Sequence, residues 1–125
     1  MKLTHLTPVL NVSDVPASLA WFEALGWERG FAWDDAGGMH SEEPTFASVQ
    51  SGEVEIFLCL DGQGARPVWL SWFVPSREEL DAVHARAVEL GCEVAMEPTD
   101  EPWGMREFHL RHPDGHVFRV GAESG

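Results

Sequence analysis

Hydrophobic positions along the chain switch twice between strand-like and helix-like spacing. Apolar residues recur at helical spacing over 15–25 and 77–90, and each stretch ends at a glycine, Gly26 or Gly91. Alternating or continuous apolar runs predict eight strands, at 3–12, 27–33, 45–50, 54–60, 68–74, 92–96, 106–111 and 116–120. The predicted order is therefore one strand, one helix and three strands, and this order occurs twice.

Both predicted helices begin at residues that favour helix N-termini. Ser13 or Asp14 is expected to cap the first helix and Ser76 the second, because their side-chain oxygens accept unpaired N–H groups of the first turn. The buried faces follow from the spacing. We expect them to consist of Ala17, Leu19, Ala20, Phe22 and Leu25 in the first helix, and of Leu80, Val83, Ala87 and Leu90 in the second.

The two halves align with each other. Val12 pairs with Val74, and the Ser51-Gly52 turn pairs with Asp114-Gly115, which gives a period of about 60 residues. The pattern predicts an α+β fold, a single domain over 1–125. It contains two tandem βαβββ modules, about 3–61 and 67–122, in a curved mixed sheet around a groove.

Composition narrows the class of ligand. Eight Lys and Arg against 21 Asp and Glu give a formal net charge of −13, which disfavours nucleic acid and attracts cationic small molecules.

No run approaches the roughly 20 apolar residues of a membrane span, and no signal peptide is evident. A cytoplasmic protein with no membrane partner is expected. Cys59 and Cys92, which lack metal-ligand spacing, are expected to be reduced and buried.

Three segments resemble the vicinal-oxygen-chelate superfamily, in its glyoxalase and bleomycin-resistance branch. They are PVLNVSDVPASLAWFEALGW, WFVPSREELDAVHARAVELG and PWGMREFHLRHPDGHVFRV, and together they cover most of the chain. The last segment is most similar to the metal-free bleomycin-binding proteins. The resemblance implies a homodimer that sequesters a bulky cationic antibiotic, and Pro8 matches the proline where the first strand of such proteins crosses to the partner.

The resemblance also implies where enzymes of the superfamily hold a metal. Those positions are Thr7, Glu55, Trp69 and Arg119, and three of the four are not metal ligands. We therefore expect no metal, no other cofactor and no catalytic residue, with an Arg119–Glu55 ion pair in place of the metal. The alternative metal site would use His5, which strand alternation places beside Thr7, together with Glu55 and His109.

The expected groove is aromatic. Strand alternation places Trp69, Ser71 and Phe73 on the groove side, and Trp72 against a helix. Trp21 and Trp27 are expected to pack in the core. The predicted ligand-binding residues are Trp33, Phe46, Glu55, Trp69, Ser71, Phe73, Trp103, Gly104 and Arg119. For the aromatic members of this set, a place in the core or in a dimer interface is an equally supported alternative.

Three functions are compatible with these patterns. The favoured one is a metal-free protein that binds a bleomycin-like antibiotic. The second is a metal-dependent lyase, dioxygenase or thiol transferase of the same superfamily. The third is a family member with an unrelated small-molecule ligand, and the sequence patterns do not separate it from the first.

Overall fold

Each half of the chain forms its own four-stranded sheet with one helix. A computed structural model describes residues 1–124, which divide into one unit over Met1–Arg66 and a second that begins at Pro67. The sheets are mixed, since in each the first strand runs parallel to the last and the other pairs are antiparallel. The predicted α+β class and the two βαβββ modules are therefore confirmed.

The first unit has the strand order β1-β4-β3-β2. Its elements are β1 (Val9–Val12), α1 (Val15–Ala24), β2 (Glu28–Trp33), β3 (Phe46–Ser51) and β4 (Val54–Leu60). The second unit repeats this topology with the order β5-β8-β7-β6. Its elements are β5 (Trp69–Phe73), α2 (Arg77–Glu89), β6 (Glu93–Asp100), β7 (Met105–Arg111) and β8 (Val117–Glu123).

Both helices begin with a side-chain cap. Asp14 Oδ1 accepts the backbone N–H of Ala17 at 2.9 Å, and Ser76 Oγ accepts that of Glu79 at 3.0 Å. Of the two predicted candidates for the first cap, Asp14 is the one the structure supports. No helix within residues 1–124 is both long enough and apolar enough to cross a lipid bilayer.

The buried face of α1 agrees with the predicted one only at Leu19 and Phe22. The residues of α1 that are buried are Val15, Ser18, Leu19 and Phe22. Ala17 and Ala20 are exposed, so their predicted burial is wrong. Alanine has too little side chain to decide a helix face, and the larger Val15, Leu19 and Phe22 take the inner positions.

The end of α2 also differs from the prediction. Leu80 and Ala87 are fully buried as expected, whereas Leu90 follows the last helical turn and remains 36% exposed.

The burial of the two cysteines also differs from the prediction, because Cys59 and Cys92 are half-buried. Neither forms a disulfide, as predicted.

The first predicted strand is too long. β1 begins at Val9, so the predicted strand face shared by His5 and Thr7 does not form. Pro8 lacks an N–H, and its carbonyl accepts the N–H of Phe57 at the point where strand pairing begins. Strands β6 and β8 are longer than predicted, because pairing with β7 extends them to Asp100 and Glu123.

Side chains of the second sheet alternate between two faces. On the α2 face, Arg106 pairs with Asp81 and Phe108 contacts the ring of His84. Trp72 stacks on Phe118 with ring centroids 4.2 Å apart on the same face. The predicted packing role of Trp72 is therefore confirmed, and the odd-numbered positions of β7 and β8 lie on the opposite, open face.

Gly30 is expected to tolerate no side chain. A Cβ at this position would lie 2.1 Å from Ser48 Oγ, which is fully buried and accepts the N–H of Phe31. The Gly30→Ala variant should therefore lose about 1 to 2 kcal/mol in the free energy of unfolding, measured by urea denaturation. Gly62→Ala is a matched control, since its φ lies outside the left-handed region and its Cβ would make ordinary contacts, 3.4 Å from Cys59 Sγ and 3.5 Å from the carbonyl oxygen of Leu60. Equal stability of Gly30→Ala and the wild type would contradict this packing.

Candidate functional site

A cavity of about 300 Å³ opens on the face of the second sheet that α2 does not cover. Strands β5, β6, β7 and β8 and the turn between β6 and β7 all contribute to it. The residues that line it are Trp69, Met96, Glu101, Trp103, Glu107, His109 and Arg119. Most of this lining is apolar or aromatic, and its centre is an ion pair.

Glu107 and Arg119 form the ion pair through two parallel hydrogen bonds. Arg119 Nε donates to Glu107 Oε1 at 2.9 Å, and Nη2 donates to Oε2 at 2.8 Å. Trp103 Nε1 donates to the same Oε2 at 3.0 Å. The side chain of Glu107 is 4% exposed and that of Arg119 is 41% exposed. The carboxylate is thus buried, whereas the guanidinium reaches the cavity.

The hydrogen bonds also set the charge of the pair. Those from Arg119, and then that from Trp103, hold the pKa of Glu107 below its ordinary value, although burial opposes this shift. Glu107 in turn raises the pKa of Arg119. Both groups are therefore ionised at neutral pH, and the pair contributes no net charge to the cavity.

Strand register explains why these two side chains meet. Arg119 lies directly opposite His109, and Glu107 lies opposite Gly121, so Arg119 reaches diagonally across the strand pair. The backbone at Gly121 lies close to Met105 and Glu107. A Cβ at Gly121 would lie 3.3 Å from Met105 Cε and 3.6 Å from Glu107 Cγ.

Two tryptophans form the walls of the cavity, each 59% exposed. The indole of Trp69 meets the edge of His109, with ring centroids 5.1 Å apart. Trp103 lies in the turn between β6 and β7, and Arg119 Cζ is 5.9 Å from its ring centroid. Gly104, with φ of +85°, supplies the left-handed backbone conformation that this turn requires.

The open face continues beyond the ion pair. A smaller cavity of about 130 Å³ includes Ser71 and Phe73, next to Arg119 and Glu107. Phe73, which is 77% exposed, also lines a cavity of about 420 Å³ near the end of β8. Of the predicted ligand-binding residues, Trp69, Ser71, Phe73, Trp103 and Arg119 therefore all line cavities on one face.

Gly104 lies in the turn beside Trp103, and the remaining three predicted residues belong to the first unit. Trp33 and Phe46 are paired residues on β2 and β3. Phe46 stacks on Phe31 with ring centroids 5.7 Å apart, and it also contacts Phe57. Glu55 accepts a hydrogen bond from Gln50 at 3.1 Å. Within its own unit, Phe46 is thus one member of an aromatic cluster.

Comparison with known proteins identifies the family. Residues 2–120 match the family described as the Glyoxalase/Bleomycin resistance protein/Dioxygenase superfamily. The chain belongs to this superfamily. The similarity covers both modules, and the resemblance inferred from the sequence segments is confirmed.

Solved structures and a curated relative agree with this assignment. TioX from Micromonospora sp. ML1 superimposes with a TM-score of 0.80 at 17% identity, covering 96% of this chain and 98% of that one. Lactoylglutathione lyase from Agrobacterium tumefaciens superimposes with a TM-score of 0.76 at 15% identity, covering 95% and 92%. These two show a shared fold.

Anthracycline biosynthesis protein DauV from Streptomyces sp. (strain C5) is 35% identical over 122 residues, 88% of this chain. The chain spans only 43% of the length of that relative.

The second module does not fit a divalent metal at the positions that superfamily enzymes use. Trp69 offers no ligand atom, and Arg119 places a fixed positive charge at the other position. The carboxylate of Glu107 already accepts three hydrogen bonds, two from Arg119 and one from Trp103. Among residues 1–124, no three or more His, Cys, Asp or Glu side chains are grouped to hold a metal ion.

Arg119 pairs with Glu107, one strand away in its own sheet, and this partner was not predicted from the sequence. The predicted pair of Arg119 with Glu55 would join the two units and stays a prediction. Glu107 and Met96 were missed as site residues, and His109 was considered only as a metal ligand. A signal was available for Glu107. Counting outward from the Pro113-Asp114-Gly115 turn places His109 opposite Arg119, and Glu107 lies two residues further along the same face.

Proposed function

We propose that the protein binds a flat aromatic small molecule on the open face of its second sheet and holds it without transforming it. The observation that carries this proposal is the pair of exposed indoles, Trp69 and Trp103, beside the Glu107–Arg119 ion pair in one cavity. Exposed tryptophan is costly in water, and it favours contact with the face of another aromatic system. A binding surface explains two such residues in one cavity.

The size of the cavity agrees with this role. Ligand pockets commonly measure about 300 to 1,000 Å³, and this cavity measures about 300 Å³. That volume accommodates a fused or linked ring system rather than a whole glycopeptide. The bulkier part of a ligand would extend over Ser71 and Phe73 or into solvent.

Charge favours a cationic ligand. The chain carries a formal net charge of −13, and Glu101 lies in the cavity wall beside the neutral ion pair. A negative field attracts cationic molecules and accelerates their capture. A bleomycin-like antibiotic is therefore the first candidate. The similarity to a protein named for anthracycline biosynthesis supports planar polycyclic aromatics as a second candidate.

The ion pair favours binding over catalysis. Glu107 has a lowered pKa and accepts three N–H groups, so it is a weak base with little capacity to take a proton from a ligand. Sequestration in the cytoplasm needs only affinity. We further propose a homodimer, which would bury part of the exposed apolar surface.

Fluorescence titration tests the proposed function. Metal-free bleomycin and an anthracycline should each change the intrinsic tryptophan fluorescence with a dissociation constant in the micromolar range or below, and should be recovered chemically unchanged. N-acetyltryptophanamide corrects for light absorbed by the drug. Elemental analysis should find no stoichiometric Zn, Ni, Fe or Mn, and sedimentation should find a dimer. Stoichiometric metal or a chemically altered drug would contradict a metal-free binding protein.

A further inference from the structure

The centre of the cavity has an excess of hydrogen-bond donors. Glu107 already accepts three N–H groups, two from Arg119 and one from Trp103. A guanidinium carries five N–H groups, and only two of those of Arg119 go to Glu107. Within the described residues, the others have no hydrogen-bond partner, and Arg119 lines the cavity. The Glu107–Arg119 pair can therefore donate further hydrogen bonds but has little capacity to accept them, and the other carboxylate in the cavity wall is that of Glu101.

We propose that the ligand presents a neutral hydrogen-bond acceptor, a carbonyl oxygen on the edge of its aromatic system, to the guanidinium of Arg119. This inference rests on the proposed function. A carbonyl fused to a flat ring system, as in a quinone, an aryl ketone or a cyclic aromatic amide, supplies such an acceptor. A ligand that offers only donors would cover the N–H groups of Arg119 without accepting a hydrogen bond from them.

Electrostatics selects a neutral acceptor over an anion. Glu107 neutralises the charge of Arg119 through the paired hydrogen bonds. Glu101 adds a nearby carboxylate, which interacts favourably with Arg119 and would repel a ligand anion. The formal net charge of −13 adds to this repulsion. A carbonyl oxygen needs no counter-charge, so it fits this site better than a carboxylate or a phosphate.

Glu107 acts here as a positioning residue. Its carboxylate holds the guanidinium of Arg119 and the indole of Trp103 at the same time. An aromatic ring that contacts Trp103 would therefore have its edge close to the unpaired N–H groups of Arg119. Because the guanidinium fork is planar and already fixed, little conformational freedom is lost on binding.

Two matched probes test this inference. One is an anthraquinone and the other an anthracene, each with the same aminoalkyl chain, so that they differ only in the carbonyl groups. Isothermal titration calorimetry should show the quinone binding about tenfold more tightly to the wild type. The Arg119→Lys variant keeps a positive charge beside Glu107 but lacks the planar fork. It should lower the affinity for the quinone about tenfold more than the affinity for the anthracene, so that the quinone preference is lost. Arg29→Lys, at an exposed ion pair with Glu23, is the matched control and should change neither affinity.

The outcomes separate this inference from the proposed function. Equal affinity of the wild type for both probes would overturn the acceptor inference and leave aromatic binding intact. A similar loss of both probes in Arg119→Lys would also overturn it, because Arg119 would then act only through the shape of the site. Tighter binding of an anthracene carboxylate than of the quinone would show that the site prefers an anionic acceptor. That result would overturn the inference of a neutral one. Failure of both probes to bind the wild type would overturn the proposed function itself.

Discussion

Replacement of Trp103 by alanine is expected to weaken binding of the aromatic ligand by about 30- to 100-fold. The indole forms one wall of the cavity and is 59% exposed, so a bound ring would cover much of its apolar surface. Loss of that contact corresponds to about 2 to 3 kcal/mol, from apolar burial and aromatic pairing together. Calorimetric titration with the drug that binds the wild type measures the change.

Two further variants define what Trp103 contributes. Trp103→Phe retains a ring but removes the N–H that Glu107 accepts, so its affinity should lie between those of the wild type and Trp103→Ala. Trp21→Phe is the control, because Trp21 packs on the edge of Phe22 in the first unit, and its affinity should equal that of the wild type. Unchanged affinity in Trp103→Ala would remove this turn from the binding site.

Acidification is expected to destabilise the protein through His112. This side chain is 1% exposed, and its Nδ1 accepts the backbone N–H of Asp114 at 3.0 Å. Burial, and then the neighbouring His116, lower the pKa of His112 from 6.5 to about 4, while the carboxylate of Asp114 opposes the shift. The folded state therefore holds His112 neutral over a pH range in which the unfolded chain is protonated.

The sign of the pH effect follows from this difference. Between about pH 6.5 and pH 4 the unfolded state binds a proton that the folded state does not bind, so stability falls as the pH falls. At pH 5 this residue should lower the free energy of unfolding by about 2 kcal/mol relative to pH 7.5, measured by urea denaturation.

Asparagine replacements isolate the contribution of His112. His112→Asn can still accept the N–H of Asp114 but does not titrate, so the difference in stability between pH 7.5 and pH 5 should shrink by about 2 kcal/mol. His40→Asn replaces an exposed histidine and should leave that difference unchanged. An identical pH dependence in His112→Asn and the wild type would show that His112 is not the group responsible.

Local patterns predicted the elements well because the forces behind them are local. Alternation with a period of two assigned Trp69, Ser71 and Phe73 to one face of β5, and the cavities on that face confirm it. The failures occurred where long-range packing decides. Residues 3–8 have strand-like composition, yet pairing with β4 begins only at Val9. The inner face of α1 was set by Val15, Leu19 and Phe22 as they met the sheet.

The sequence by itself determined the family, the order of strands and helices, and the closing hairpin with its Pro113-Asp114-Gly115 turn. Tertiary structure decided which charges meet and which are buried. Arg119 pairs with Glu107 because strand register brings them together. His112 belongs to a polar turn segment, yet it is buried beneath that turn. Spacing along the chain specifies the direction of a side chain, but its burial and partners depend on residues that are distant in sequence.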